Sequence, residues 1–183
     1  MDDLPFDCLN IITDFLDISS ILRLQQCNKD FRSFFQQNRK YIFECKLKED
    51  FQIQNTNPEE TYKKLYKIDF NGKYVMDNKL IFENGLQIEQ TYIANVKCDN
   101  NKLTAFGKFD EEMEFRMDGE KHIWDVKGKI YFTSDSLNGE TEFEGKVNVE
   151  KYLRSGVIEI NAIYKYTDNN SSCIGTTKCT KLV

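Results

Sequence analysis

Residues 124–132 read WDVKGKIYF, and apolar and charged side chains alternate along this stretch. Trp124, Val126 and Ile130 share one parity, whereas Lys127 and Lys129 share the other. Successive side chains of an extended chain point to opposite faces of a sheet. The alternation therefore predicts a β-strand with one buried face and one solvated face.

The same alternation recurs on both sides of this stretch. It is found in residues 86–98, 103–109, 113–117, 143–149 and 158–166. Turn-forming Asp, Asn and Gly residues separate the segments, and short connections favour antiparallel neighbours. We therefore predict an antiparallel β-meander that forms a β domain over residues 69–183.

The apolar parity of these segments includes several small residues. They are Ala94, Ala105, Gly107, Gly128, Gly145 and Ala162. Small inward residues let strands curve sharply, and about seven to nine strands of this kind suit a small closed barrel. A strongly twisted open sheet covered by helices is the alternative arrangement.

The first 50 residues contain no glycine and follow a helical period instead. Three or four short helices are expected in residues 1–50. Ser19 or Ser20 is expected to cap the second helix and Asn28 the third, and a fourth is expected around Tyr41 and Cys45. A connector helix within residues 51–68 is expected to begin at Pro58, which gives an α+β chain overall.

Composition excludes several classes of function. The 183 residues include 25 basic and 30 acidic side chains, for a net charge of −5. An acidic chain without a basic stripe is not expected to bind nucleic acid. No run of about 18 apolar residues exists, so no membrane association is expected. The acidic N-terminus lacks the layout of a signal peptide, which favours a cytoplasmic or nuclear protein.

Motifs for catalysis or metal binding are missing from the sequence. The six cysteines form no Cys-x-x-Cys pair, and His122 is the only histidine. Neither a zinc site nor a hydrolytic triad can be built from this set. We expect no catalytic residues, no metal and no cofactor, and free cysteines in a reducing compartment.

The helical block carries a second pattern. It consists of Leu4-Pro5, Asp7, the pair Ile12 and Leu16, the group Ile21, Leu22 and Leu24, and Phe31 four residues after Cys27. This ungapped constellation resembles the F-box. Cys27-Asn28 departs from the Val-Cys of that family, and a small apolar Cys27 is expected to keep the packing.

The resemblance implies a non-catalytic substrate-receptor subunit of an SCF-type E3 ubiquitin ligase. It implies that the helices bind a Skp-type adaptor, and through it a cullin–RING core, while the β domain binds a protein substrate. The adaptor-binding residues implied are Leu4, Pro5, Ile12, Leu16, Ile21, Leu22, Leu24 and Phe31.

Two other functions stay open, because the sequence does not name the substrate. The β domain can be a barrel that binds a small apolar ligand, or the chain can be a scaffold outside ubiquitination. The substrate surface is expected on loops or an exposed strand face of the β domain. The candidate residues form an acidic edge, Asp110, Glu111, Glu112 and Glu114, which suits a basic segment.

Overall fold

A computed structural model describes residues 6–108, 113–122, 124–133, 138–167 and 172–182. The chain divides into two compact units, Met1–Lys67 and Ile68–Val183. The first unit is helical and the second is a β-barrel, so the α+β prediction is confirmed.

The described part of the helical unit, from residue 6 onward, contains four helices: α1 (Phe6–Phe15), α2 (Ile18–Cys27), α3 (Lys29–Phe51) and α4 (Pro58–Tyr66). Asp17 caps α2, since its carboxylate accepts a 2.6 Å hydrogen bond from the Ser20 amide. The expectation that Ser19 or Ser20 caps this helix is therefore wrong. The prediction for Asn28 is confirmed, because its side chain accepts from the amides of Asp30 and Phe31 at 2.9 Å.

Helix α3 is one continuous element of 23 residues. The separate fourth helix expected around Tyr41 is wrong, because no Gly or Pro interrupts the chain between Lys29 and Phe51. The helix ends where Gln52 adopts a left-handed conformation with φ of 56°. A helix of this length can pack against all three of its neighbours in the unit.

An aromatic core holds α3 and α4 together. The Tyr62 ring of α4 lies 5.8 Å from Phe43 and 5.4 Å from Phe51, and its hydroxyl donates to Asp50. Phe34 and Phe35 are both buried, although they are adjacent and point to different sides of α3. The connector helix expected within residues 51–68 is thus α4, and it packs inside the helical unit.

The second unit is a closed antiparallel barrel of eight strands. The strands are β1 (Gly72–Phe82), β2 (Gln87–Asp99), β3 (Lys102–Lys108), β4 (Glu114–His122), β5 (Asp125–Thr133), β6 (Asn138–Val147), β7 (Glu159–Thr167) and β8 (Ser172–Lys181). Each strand pairs with the next along the chain, and β1 pairs with β8 from Tyr74↔Lys181 to Phe82↔Cys173. The barrel is the correct alternative, because this last pairing removes both edges of the sheet.

A short helix, α5 (Val149–Ser155), interrupts the meander between β6 and β7. The Asn148 side chain caps its first turn by accepting from the Lys151 amide at 3.1 Å. Gly156, at φ of 73°, ends it in the left-handed conformation that glycine adopts without strain.

Candidate functional site

The residues expected to bind an adaptor differ widely in exposure. Ile21 and Phe31 are 0% and 2% exposed, so they belong to the core of the helical unit. Four others are half-buried, namely Ile12, Leu16, Leu22 and Leu24. Leu4 and Pro5 lie outside the described residues. Half-buried side chains can serve both the core and a partner, whereas Ile21 and Phe31 act by holding the helices in place.

Helix α1 presents an apolar stripe that the sequence pattern did not single out. Cys8 is exposed, Ile11 is 56% exposed and Phe15 is 86% exposed. These positions are three and four residues apart, so they lie on one face of the helix. We call Cys8, Ile11 and Phe15 the α1 stripe. A phenylalanine this exposed beside other apolar side chains is typical of a partner surface.

Ion pairs also fix α4 against α3. Both oxygens of Glu59 accept from the Arg39 guanidinium, and Lys63 Nζ lies 2.6 Å from Glu59 Oε1. The Arg39 and Lys63 hydrogen bonds lower the pKa of Glu59 to about 2. The carboxylate therefore stays ionised at neutral pH and stabilises the helix pair that carries the core.

The barrel interior is filled by its own side chains. Tyr74, Met76 and Cys179 line an apolar interior cavity of about 50 Å³. Small-molecule sites usually measure about 300–1,000 Å³. This interior does not favour the ligand-binding alternative.

Polar groups inside the barrel are bonded to one another. The Asn78 side-chain oxygen accepts from the Tyr164 hydroxyl at 2.8 Å and the Thr177 hydroxyl at 2.9 Å. Burial raises the pKa of Tyr164 to about 12, so its proton stays in place at physiological pH. The cluster links β1, β7 and β8 and is typical of a satisfied structural network.

The outer face of the barrel has an open surface depression that residues of β3 to β8 line. The concavity, which we call the outer groove, measures about 990 Å³. Gly119 and Gly128 pair across β4 and β5, and their inward positions carry no side chain, which lets both strands bend. Ile163 and Ile174 line the groove and are 54% and 51% exposed.

Charges of opposite sign stand opposite each other along the groove. Lys127 faces Glu120 of β4 and Glu144 of β6. Lys129 likewise pairs with Asp118 on one side and Glu142 on the other. Opposite charges on neighbouring strands stabilise the register by about 0.2–1 kcal/mol per pair. The groove is therefore charged and nearly balanced, with an apolar end at the two isoleucines.

The acidic edge is described only at Glu114. Its carboxylate lies 2.9 Å from Lys108 Nζ, so this charge already has a partner on β3. Asp110, Glu111 and Glu112 lie outside the described residues. Glu114 alone therefore adds little unpaired negative charge to this edge of the barrel.

Other functional groups are scattered within the described part of the chain. His122 is exposed at the end of β4, opposite Asp125. No three His, Cys, Asp or Glu side chains there approach closely enough to bind a metal ion. Nor does any helix in these ranges have the length and hydropathy needed to cross a membrane.

Comparisons with known proteins identify the helical region. Residues 1–43 match the family model of the F-box domain. No curated protein matches the chain. One similar solved structure is a mutant of the vaccine antigen transferrin binding protein B from Haemophilus parasuis Hp5, with 14% identity and a TM-score of 0.42. That match covers 62% of this chain and 26% of the other.

Proposed function

We propose that this chain, whose residues 1–43 match the F-box domain, is a non-catalytic substrate receptor of an SCF-type ubiquitin ligase. The helical unit binds a Skp-type adaptor, which connects it to a cullin–RING core. The barrel binds a protein substrate and raises its effective concentration near the ubiquitin-carrying enzyme. The F-box match over residues 1–43 carries this proposal.

The α1 stripe supports the adaptor half of the proposal. It lies within the matched residues and leaves Phe15 86% exposed in the chain by itself. Interface residues that contribute most to binding are usually large apolar side chains near the centre of a buried patch. Ile11 and Phe15 are therefore candidate anchors, because both expose more than half of their side chains on one face of α1.

Adaptor binding is tested with a purified Skp-type adaptor and the variant Ile11→Ala/Phe15→Ala. The double substitution should weaken binding by about 2–4 kcal/mol, because it removes two exposed apolar anchors. Calorimetry of the complex measures this loss.

The matched control is Ile93→Ala, which truncates a barrel isoleucine that is 53% exposed, close to the 56% of Ile11. Equal affinity of the double variant and the control variant would contradict a role for the α1 stripe. Failure of the unchanged chain to bind the adaptor at all would contradict the proposed function.

The outer groove is the proposed substrate surface. It measures about 990 Å³, against about 50 Å³ for the interior cavity. Its two half-exposed isoleucines offer apolar anchors beside paired charges, and rigid strands hold them in place. The acidic edge is retained as a second proposed surface for a basic segment.

Substrate binding is tested by crosslinking and mass spectrometry with tagged chain from cells. Ile163→Ser should lose proteins that the unchanged chain captures, while Ile93→Ser, outside the groove, should keep them. Glu111→Lys/Glu112→Lys tests the acidic edge in parallel. If Ile163→Ser keeps all captured proteins and the charge-reversal variant loses them, the acidic edge, and not the outer groove, is the substrate surface.

The same experiment separates a ligase receptor from a scaffold. A receptor should bring down the adaptor together with the cullin, because the adaptor bridges them. Adaptor without cullin would favour the scaffold function outside ubiquitination.

A further inference from the structure

Lys46 of α3 is a buried cation with two oxygen partners. Its side chain is 7% exposed, and Nζ donates to the Asp14 carbonyl at 3.1 Å and to Glu49 Oε2 at 2.7 Å. Lysine is rarely buried unless it is paired. Removing this ammonium group from water costs free energy, and its two hydrogen bonds compensate for that cost.

The Asp14 carbonyl belongs to the C-terminal turn of α1. The last four carbonyls of a helix have no partner within the helix, and cations there also interact well with the helix dipole. The last turn of α1 contains no basic residue of its own. Lys46, 32 residues further along, supplies the missing donor from the neighbouring helix.

The bonded carbonyl lies in the peptide group that joins Asp14 to Phe15. A hydrogen bond to this carbonyl fixes the orientation of the peptide group that precedes Phe15, and with it the backbone that carries the Phe15 side chain. Phe15 itself is 86% exposed, so its own packing does little to hold it. Lys46 lies beyond the matched residues 1–43, yet it contacts the backbone of Asp14, the residue before Phe15.

We propose that Lys46 is a positioning residue that holds the end of α1, and with it Phe15, in the orientation that binds the adaptor. This inference rests on the proposed function for its adaptor readout. Holding the stripe in place before binding lowers the ordering cost of association. Lys46 does not contact the adaptor itself and affects adaptor binding through the orientation of Phe15.

The test compares Lys46→Met, which keeps the aliphatic stem, with Lys46→Arg, which keeps a cationic donor. Lys46→Met should weaken adaptor binding by about tenfold and speed amide hydrogen exchange in residues 6–15. Lys46→Arg should recover most of both. Lys40→Met is the matched control, because the Lys40 side chain is 75% exposed on the same helix.

A double-mutant cycle with Phe15→Ala separates positioning from general stability. If Lys46 acts through Phe15, Lys46→Met should have almost no further effect on affinity in the Phe15→Ala background. Additive effects, or unchanged affinity and exchange in Lys46→Met, overturn the inference.

Two further outcomes are also decisive. If Lys46→Met loses helical signal, Glu49→Gln, which removes the negative charge of one of the two oxygen partners, should show the same changes at smaller amplitude. No change in Glu49→Gln overturns the inference. If the unchanged chain does not bind the adaptor, the proposed function fails. Exchange in residues 6–15 then still decides whether Lys46 holds α1.

Discussion

Glycines on the inner face of the barrel stand opposite aromatic rings on the neighbouring strands. Gly107 pairs with Phe115, Gly128 with Phe143, Gly139 with Phe132, and Gly175 with Tyr164. A Cβ atom built on Gly175 would lie 2.1 Å from Tyr164 Cζ, and one on Gly107 would lie 2.4 Å from Phe115 Cε1. The rings therefore occupy the space that side chains would need at Gly107 and Gly175. This packing explains why eight curved strands leave so little empty volume inside.

Gly175→Ala should lower the free energy of unfolding of the barrel by about 1–3 kcal/mol. The Tyr164 ring cannot move away without losing the hydrogen bond from its hydroxyl to Asn78. Urea unfolding followed by fluorescence of Trp124, the single tryptophan, measures the change. Thr176→Ala is the control, since Thr176 is the exposed outward neighbour. Equal midpoints for the two variants would show that the ring adapts.

At the scale of elements, β1 and β8 were the strands least visible in the sequence. Asn78 is 3% exposed and Thr177 is 5% exposed, so polar side chains occupy inward positions of both strands. Gly175 adds an inward position without a side chain. The alternation of apolar and polar side chains can be recognised in the sequence only where the inward positions of a strand are apolar, as in residues 124–132. The sequence therefore indicated strands in the middle of the meander more clearly than at its ends.

Exposure on α1 was equally hard to predict, for a different reason. Ile11 and Ile12 are both apolar, and only the packing of the other helices decides that Ile12 is half-buried while Ile11 is exposed. The spacing of Cys8, Ile11 and Phe15 was a usable signal for a second apolar face.

Closure of the barrel depends on the pairing of β1 with β8, about one hundred residues apart, which no local pattern reveals.

Helix α5 is joined to the barrel by a charged cluster around Glu159. The Glu159 side chain is 7% exposed, accepts from Lys151 and from Asn148 Nδ2 at 3.0 Å, and lies 3.5 Å from Lys178 Nζ. The Lys151 bond, with help from Asn148 and Lys178, lowers the pKa of Glu159 to about 2. These contacts hold α5 against the start of β7 and the end of β8.

Acid should therefore weaken the barrel through Glu159. Because the folded-state pKa lies below the ordinary value of 4.5, the ionised carboxylate stabilises the fold above that pH. This contribution is lost as the pH falls from 4.5 toward 2. Glu159→Gln should lower stability at pH 7 by about 1–2 kcal/mol and flatten the pH dependence in this window. Melting temperatures are measured by Trp124 fluorescence as a function of pH. The same pH dependence in the variant and the unchanged chain would contradict the role of Glu159.

At the scale of the whole molecule, each compact unit contains its own core. The helical unit buries Phe31, Phe43 and Tyr62, while every strand of the barrel has two paired neighbours. A closed sheet with a filled interior already satisfies its backbone and its apolar face. Two units with separate cores can tolerate changes independently, which suits the proposed receptor with two different partners.

Residues 68–183 should consequently fold without the helical unit. The fragment should melt cooperatively. Its melting temperature, followed by Trp124 fluorescence, should lie within about 4 °C of that of the whole chain. A larger decrease would correspond to a loss of roughly 1 kcal/mol in the free energy of unfolding. A second fragment, 52–183, adds α4 and serves as the comparison. Because Tyr62 and Leu65 of α4 are buried in the helical unit, their exposure in this fragment should add no stability and should lower solubility. Cooperative melting of 52–183 alone would instead assign α4 to the barrel, and the boundary between the two cores would then lie before residue 58.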